Sequence, residues 1–330
     1  MNVVFDLGGT FLRCGVDIGS DRLANVLSVP IAHVATNGSD AGAWQRLFDA
    51  MRDYVLGARA SFGDPESVVV AFPGPIRGPA QPLCAPTVVR SDATVPDISY
   101  VGCGSTTYVI NDVSAAAWYF GETTDCERFL VVTVSSGIGS KLYDRARSHR
   151  VFDDEPFAGE LGHVTVDFTP NAPACDCGGR GHLGAISSGR GIERLARRTA
   201  VGDPESFARS LCAQLAGAGD LISNEAHIVP AARAGDQWVL EVIERASEPL
   251  ATMLATAFQV CGLQKIYVVG GFANAAGPAY ESLLDSAVRK RLAPPAFGTP
   301  AAPVVEVRDA DNACLYGAAF FARARVFAPL

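Results

Sequence analysis

The sequence predicts an α/β fold of two domains with a cleft between them, and three observations lead to this prediction. A chain of 330 residues is long enough for two domains. Each half opens with two β-like runs joined by a glycine-rich turn, FDLGGTFLRCGV at 5–16 and VTVSSGIGSKLY at 132–143. Each half also contains a later strand that leads directly into a helix, and no low-complexity linker separates the halves.

The rest of the first half alternates strand and helix patterns. A third β-like run at 23–31 precedes a helical pattern at 41–62, and buried-strand runs follow at 67–75 and 107–111. A further helix is predicted at 112–122. The helix at 41–62 is predicted from apolar side chains that recur at helical spacing, namely Trp44, Leu47, Phe48, Met51 and Val55.

The second half is predicted to be mainly helical after its opening hairpin. Helical patterns dominate from 190 to about 263. The remaining segments are a strand running into a glycine turn, a helix, a strand and a final helix, at 265–274, 280–293, 303–309 and 312–327.

Composition and charge narrow the class of protein. Hydrophobic residues make up 48% of the chain and charged residues 19%, which is typical of a soluble globular protein. The net charge of −8 argues against nucleic acid or an anionic membrane as a partner. The sequence begins with a strand pattern, not a signal peptide, and no apolar run approaches the ~20 residues of a membrane span. Nine scattered cysteines fit a reducing compartment, so we expect a cytoplasmic protein.

The first glycine-rich turn is a candidate phosphate site. Gly8 and Gly9 allow backbone N–H groups to approach an anion, and the Thr10 hydroxyl can donate to a phosphate oxygen. Asp6, at the end of the strand, can hold Mg²⁺ directly or through water. The alternative is an ordinary β-hairpin without a ligand.

Two further glycine-rich turns resemble parts of a nucleotide site. Ser136 and Gly137 lie in SSGIGS at the equivalent turn of the second hairpin, which suggests that two turns clamp a nucleotide phosphate tail. Gly270 and Gly271 end a later strand and suit a nucleoside. Neither the Walker A sequence nor the dinucleotide-binding fingerprint is present.

The segment IND places Asn111 and Asp112 where a strand ends and a helix begins. A carboxylate at this position can cap the helix. It can equally accept the proton of a substrate hydroxyl that attacks a phosphoryl group, with Asn111 orienting that substrate. The sequence leaves both roles open.

One short span combines an acid with four metal-binding residue types. Glu160 precedes His163 by one turn, and Cys175, Cys177 and His182 follow. Thiolates and imidazoles are the usual ligands of Zn²⁺, but a structural zinc site would not require the glutamate. A metal site, a catalytic site or both are compatible with the span. A zinc-dependent hydrolase is disfavoured because four protein ligands leave no open position for water.

These motifs together resemble the ROK family of sugar kinases, the bacterial glucokinase-like group of the actin and hexokinase superfamily. The resemblance covers nearly the whole chain, and the order and spacing of the motifs fit. The matching segments are DLGGT, AFPGPI at 71–76, INDVSAAAWYFGE at 110–122, VSSGIGS, AGELGH at 158–163, CDCGGRGH at 175–182, VVGGF and NACLYGAA at 312–319. Family repressors carry a DNA-binding segment before the DxGGT strand, and here that strand starts at residue 2.

The resemblance implies a ribonuclease H-like, actin-like fold and an ATP-dependent kinase. The expected domains are 1–112 with the C-terminal helix 317–330, and 113–316. Mg-ATP is expected on the two hairpin turns with adenosine near Gly270 and Gly271. Asp112 is the expected general base for a primary hydroxyl. The expected substrate-binding residues are Gly78, Thr87, Asn111, Asp112, Glu160 and His163.

The resemblance also implies one structural Zn²⁺ held by His163, Cys175, Cys177 and His182. The family has a cysteine at the last of these positions, so the alternative is that His182 is a surface residue and the zinc is lost. In the family, the histidine at the position of His163 contacts sugar hydroxyls through the ring nitrogen that does not bind zinc. The family is often dimeric or tetrameric, so a homodimer or homotetramer is expected.

Two positions depart from the family pattern on the substrate side. Gly184 stands where the family has a sugar-contacting glutamate, and Thr87 where it has an asparagine. Loss of a carboxylate that accepts a substrate hydroxyl can change preference by orders of magnitude. The sequence therefore favours a modified sugar, either an aminosugar or a C7-cyclitol. The alternatives are an ordinary glucokinase in which Ser187 or Arg190 supplies the missing contact, and a sensor that binds ATP and sugar without catalysis.

Overall fold

The computed structural model describes residues 1–31, 42–77, 81–83, 85, 88–89, 95–153, 155, 157–292, 303–308 and 312–326. Its strands are β1 (Asn2–Leu7), β2 (Phe11–Asp17), β3 (Ala24–Pro30), β4 (Ser67–Phe72), β5 (Ile76–Arg77), β6 (Gln81–Pro82), β7 (Thr106–Asn111), β8 (Arg128–Val134), β9 (Ile138–Asp144), β10 (Lys265–Val269) and β11 (Val305–Val307).

The α-helices include two long ones and several short ones. They are α1 (Ala43–Phe62), α2 (Asp112–Thr123), α3 (Leu183–Ser187), α4 (Gly189–Gly202), α5 (Pro204–Ala208), α6 (Leu211–Ala216), α7 (Val229–Arg233), α8 (Gln237–Cys261), α9 (Gly271–Ala276), α10 (Pro278–Arg289) and α11 (Ala313–Val326). Short 3₁₀ turns occur at Ser99–Gly102, Leu161–His163 and Gly219–Leu221, and a π-helical turn at Asn224–Ile228. None of the described helices is both long and apolar enough to cross a bilayer.

The chain forms two compact units. Unit 1 contains Met1–Asp125, His149–Pro156 and Ala310–Leu330, and unit 2 contains Cys126–Ser148 and Phe157–Asp309. The strand and helix patterns predicted from the sequence are confirmed in both units.

Unit 1 is built on a five-stranded sheet in the order β3-β2-β1-β4-β7. β1 pairs antiparallel with β2 and parallel with β4, and β4 pairs parallel with β7. All residues of β1 and β4 are buried. Both are central strands of a sheet whose two faces are covered, and this explains their continuous apolar sequences. The apolar stripe of α1 packs into the same core, including Trp44, Leu47, Phe48, Met51 and Val55.

Helices α2 and α11 pack against one another in unit 1. A Cβ on Gly317 would lie 1.7 Å from the backbone oxygen of Ala115, so only glycine permits this close approach. The domain boundary predicted at residue 112 would place α2 in the second domain, whereas the packing groups α2 with unit 1.

A buried ion pair holds α11 to the sheet of unit 1. The Arg323 Nε donates to both carboxylate oxygens of Asp17 at 3.1 Å, and the Asn2 amide donates to Asp17 Oδ2 at 3.2 Å. Arg323 Nη2 also donates to the Ser20 carbonyl at 2.7 Å. The side chain of Asp17 is 2% exposed and that of Arg323 is 30% exposed, so the pair links β2 to α11 from a partly buried position.

Unit 2 is built on a four-stranded sheet in the order β11-β10-β8-β9. β8 and β9 form the second hairpin, and β10 pairs parallel with both β8 and β11. The 25-residue helix α8 packs its apolar face into the core of this unit, beside α4 and α10. This arrangement places the ends of β8 and β10 next to each other, where their glycine-rich turns begin.

Candidate active site

The β1–β2 turn presents an open backbone in unit 1. The Gly8 N–H donates to the Phe11 carbonyl at 3.0 Å, and a Cβ on Gly8 would lie 3.3 Å from that oxygen. Gly9 and Thr10 are exposed, so their backbone and the Thr10 hydroxyl are accessible to a ligand. The geometry suits the predicted phosphate contact.

Asp6 lies beneath this turn, opposite Arg13 in the hairpin register. The Arg13 Nη1 donates to Asp6 Oδ2 at 3.1 Å. Burial raises the pKa of Asp6 to about 6, while the charge and hydrogen bond of Arg13 act in the opposite direction. At neutral pH most Asp6 carboxyl groups are therefore ionised and can bind a divalent cation.

Asn111 and Asp112 occupy the junction of β7 and α2. The Asn111 Oδ1 accepts from the Val113 and Ser114 N–H groups at 3.0 and 3.4 Å, and its Nδ2 donates to the Gly74 carbonyl at 3.2 Å. Asn111 is therefore the N-cap of α2, and Asp112 is the first helical residue. The carboxylate of Asp112 accepts from the Val113 N–H at 2.9 Å.

A partly buried thiol on α11 contacts the junction of β7 and α2. Cys314, on α11, donates its S–H to the Asp112 carbonyl at 3.3 Å. Burial raises the pKa of Cys314 well above its usual value, and the charges of Asp6 and Asp112 add to this effect. In the sheet register Asp6 pairs with Ala71 and Ala71 with Ile110, so the candidate cation ligand and the junction that carries the candidate base lie at one edge of the unit 1 sheet. Sequence reasoning missed Cys314 as a neighbour of Asp112, although the segment NACLYGAA that contains it was among the matching motifs.

The β8–β9 turn carries the second predicted phosphate contact. The Ser135 N–H donates to the Gly137 carbonyl at 3.0 Å, and no atom lies within 4 Å of a Cβ built on Gly137. Ser136 and Gly137 therefore face an open region, which suits an anion.

The β10–α9 turn lies directly beside it. Gly270 has φ +108°, and a Cβ on it would lie 2.7 Å from the Thr133 hydroxyl oxygen. A Cβ on Gly271 would lie 3.5 Å from the hydroxyl oxygen of Ser135. The structure thus brings the second and third glycine-rich turns together in unit 2.

The four candidate metal ligands converge. The ligand atoms of His163, Cys175, Cys177 and His182 all lie within 4.8 Å of one another. The Sγ of Cys177 is 3.2 Å from His182 Nδ1, and the Sγ of Cys175 is 3.8 Å from His163 Nδ1. Ligands of a tetrahedral Zn²⁺ bound at its usual distances are about 3.4–3.8 Å apart. Both cysteines are free thiols, so the donor set fits zinc.

Backbone contacts shape the loop that carries these ligands. The Cys175 N–H donates to the Gly179 carbonyl at 2.9 Å, and the Gly178 N–H donates to the Cys175 carbonyl at 3.0 Å. Gly181 has φ +68°, and a Cβ there would lie 1.9 Å from the Asp167 carbonyl oxygen. The CDCGGRG sequence therefore forms a tight turn because its glycines permit it.

The two ring nitrogens of His163 have different neighbours. Nδ1 faces the Cys175 thiol, and Nε2 lies 3.7 Å from Glu160 Oε2. His163 and Glu160 side chains are about half exposed. One histidine can therefore serve a metal through Nδ1 and a substrate hydroxyl through Nε2.

The two residues proposed to replace the family glutamate, Ser187 and Arg190, have different surroundings in the structure. Ser187 is fully buried, and its hydroxyl donates to the Ala246 carbonyl at 2.6 Å, so it is not available to a substrate. Arg190 instead contacts the β8–β9 turn at Ser136 and the metal-ligand loop at Asp176. A Cβ on Gly184 would lie 3.1 Å from the Gly162 carbonyl oxygen, so α3 packs closely on the turn that carries His163.

Two predicted substrate residues, Gly78 and Thr87, lie outside the described residues. Among the others, Asp6, Gly8, Gly9, Thr10, Asn111 and Asp112 belong to unit 1. Glu160, His163 and the turns at Ser136 and Gly270 belong to unit 2.

Two units that each combine a parallel-centred sheet with a β-hairpin glycine turn define the actin-like ATPase class of fold. A ROK family glucokinase from Streptomyces griseus, solved with glucose and AMPPNP, has this fold. Its TM-score is 0.71 at 25% identity, and the match covers 98% of this chain and 99% of that one. The ROK family model matches residues 13–325. The chain belongs to the ROK family.

Curated relatives span nearly the same length. The chain is 36% identical to a C(7)-cyclitol 7-kinase of Streptomyces hygroscopicus subsp. jinggangensis, over 99% of this chain and 95% of that protein. It is 30% identical to a 2-epi-5-epi-valiolone 7-kinase of Actinoplanes sp., over 87% of this chain and 82% of that protein.

Proposed function

We propose that this protein is an ATP-dependent kinase that transfers the γ-phosphoryl group to a primary hydroxyl of a C7-cyclitol. One observation carries the kinase assignment. Asp6 pairs with Ala71 in the parallel sheet and Ala71 pairs with Ile110, so a carboxylate suited to Mg²⁺ and the β7–α2 junction that carries Asp112 lie at the same edge of the unit 1 sheet. The names of the two full-length relatives support the substrate class.

The proposed roles follow from the chemistry of each group. Asp112 accepts the proton of the attacking hydroxyl, and Asn111 holds the start of α2 so that this carboxylate keeps its position. Glu160 and His163 bind substrate hydroxyls. Mg²⁺ supplies charge stabilisation for the transferring phosphoryl group when bound. The N–H groups of the glycine-rich turns, together with the Thr10 hydroxyl, bind phosphate oxygens.

Gly184 supports a substrate that differs from glucose. The position of the family glutamate offers no side-chain acceptor here, and the adjacent Gly162 carbonyl is close enough to restrict a larger residue. A substrate without a hydroxyl at this position loses no hydrogen bond when the acceptor is absent. Glucose has such a hydroxyl, which is then left without its hydrogen-bond partner.

The substrate proposal predicts a large preference. In an ADP-release assay, a 2-epi-5-epi-valiolone-type cyclitol should exceed glucose in kcat/KM by about 100-fold or more. Mannose, N-acetylmannosamine and kanosamine complete the panel. A glucose preference would instead make the protein an ordinary glucokinase, and ATP binding without any turnover would favour the sensor.

Gly184→Glu should lower the preference for the cyclitol over glucose, because it restores a carboxylate acceptor for the glucose hydroxyl. Gly184→Ala is the matched control, since it adds the same Cβ near the Gly162 carbonyl without the acceptor. Equal behaviour of the two variants would show that crowding, and not the missing carboxylate, governs selectivity.

We also propose that His163, Cys175, Cys177 and His182 hold one structural Zn²⁺. The bound ion would fix the loop that carries Glu160 and His163 and would leave His163 Nε2 for the substrate. The protein as purified should contain close to one zinc per chain, measured by mass spectrometry of metal content.

Variants of the ligands test the zinc site directly. Cys177→Ala and His182→Ala should lose most of the zinc, whereas His182→Cys should retain it because a thiolate replaces an imidazole in the same tetrahedral set. His149→Ala, at an exposed histidine of unit 1, is the control. Full zinc content in Cys177→Ala would contradict the proposed site.

A further inference from the structure

Arg190 contacts two candidate functional segments of unit 2 that are separate in the sequence. It is the second residue of α4, and its Nε donates to the Ser136 carbonyl at 2.6 Å. Its Nη1 lies 2.6 Å from Asp176 Oδ2. One guanidinium therefore contacts both the β8–β9 turn and the loop of candidate zinc ligands, a fork that lysine cannot reproduce.

The contact with Ser136 determines where an amide of the turn points. In a trans peptide the N–H is directed opposite to the C=O of the same unit. Arg190 holds the Ser136 carbonyl, so the Gly137 N–H is directed away from the guanidinium. The Gly189 N–H holds the Ser135 carbonyl at 2.8 Å, which directs the Ser136 N–H in the same way.

These two N–H groups belong to the residues expected to bind the ATP phosphates. Gly137 faces open space and has no Cβ, so its peptide unit has little side-chain packing to restrain it. A rotated Ser136–Gly137 peptide would present its carbonyl oxygen to the phosphate instead of the N–H. The hydrogen bond from Arg190 opposes that rotation.

The other contact of Arg190 links this orientation to the metal-ligand loop. Asp176 lies between Cys175 and Cys177, so its position depends on how those two thiols are held. Arg190 and Asp176 are 57% and 74% exposed, and an exposed ion pair alone contributes little. Such a pair can still limit which positions the guanidinium occupies beside Ser136.

We propose that Arg190 is a positioning residue that orients the Gly137 amide toward the ATP phosphates and makes this orientation depend on the zinc loop through Asp176. The inference rests on the proposed function, since it requires that the β8–β9 turn bind nucleotide phosphate. It adds a coupling between the zinc loop and nucleotide affinity.

Nucleotide binding measured by calorimetry tests the first part. Arg190→Ala should weaken Mg-AMPPNP binding by about threefold to tenfold and leave adenosine binding unchanged, because adenosine has no phosphate. Arg190→Lys should recover only part of the loss. Arg245→Ala, at an exposed arginine of α8, is the control. Equal weakening of AMPPNP and adenosine would indicate general disruption and would overturn the inference.

A thermodynamic cycle tests the coupling. Asp176→Ala should weaken Mg-AMPPNP binding in the wild-type background and have no further effect in Arg190→Ala. Removal of zinc by a chelator should follow the same pattern. Additive effects of the two substitutions would overturn the coupling. If the wild-type protein binds no AMPPNP, the proposed function fails, whereas normal binding by Arg190→Ala rejects the inference alone.

Discussion

Replacement of Asp112 by asparagine is expected to lower kcat by about 10²- to 10⁴-fold, because the amide cannot accept the proton of the attacking hydroxyl. The change should leave the local fold intact. An asparagine Oδ1 can still accept from the Val113 N–H, and Asn111 remains the N-cap of α2. Steady-state kinetics with the preferred cyclitol and Mg-ATP measure the effect.

Binding measurements separate a catalytic role from a structural one. Asp112→Asn should bind Mg-AMPPNP with nearly wild-type affinity, since the phosphate contacts lie on the glycine-rich turns. Asp53→Asn, at an exposed carboxylate of α1, is the matched control and should retain full activity. A kcat for Asp112→Asn within a few-fold of wild type would remove Asp112 from the role of general base.

The largest effect on stability is expected at Arg323. Among the described residues, Arg323→Ala leaves the buried Asp17 carboxylate with the Asn2 amide and the Gly19 N–H as its remaining donors. The free energy of unfolding should fall by about 3 kcal/mol, at the lower end for a broken buried pair, because the Arg323 side chain is 30% exposed. Urea denaturation measures the change.

A second substitution tests the mechanism of this loss. Combining Arg323→Ala with Asp17→Asn removes the uncompensated charge and should restore part of the stability. Arg52→Ala, at an exposed arginine of α1, should change stability by less than about 0.5 kcal/mol. A double variant less stable than Arg323→Ala would show that lost packing, and not the buried charge, causes the effect.

The same pair makes stability depend on pH at the acidic end. Burial alone would raise the pKa of Asp17, but hydrogen bonds from Arg323, Gly19 and Asn2 outweigh it and lower the pKa below 3.8. The carboxylate therefore stabilises the fold above the pKa of the unfolded chain, and this contribution is lost as the pH falls through the folded pKa. The stability difference between wild type and Arg323→Ala should shrink as the pH falls below 3.8.

Local sequence patterns were sufficient to predict the strands and helices and to identify the candidate site residues. Continuous apolar runs identify β1 and β4, and the helical spacing from Trp44 to Val55 identifies α1, because burial on a regular element imposes its own period. The glycine-rich turns and the His and Cys residues are recognisable for a similar reason. Their chemistry depends on residue type and on short spacing along the chain, and both can be seen in the sequence itself.

Contacts between distant segments were decided by the tertiary structure. Cys314 lies 202 residues from Asp112 and bonds to its carbonyl, and Arg190 meets Ser136 from 54 residues away. Ser187 and Arg190 looked equally able to replace the family glutamate, yet one is buried against α8 and the other holds a turn. The choice of Asn111 over Asp112 as the cap of α2 was likewise settled by backbone geometry. Such outcomes depend on how packed elements direct each side chain, and no local period or spacing encodes that direction.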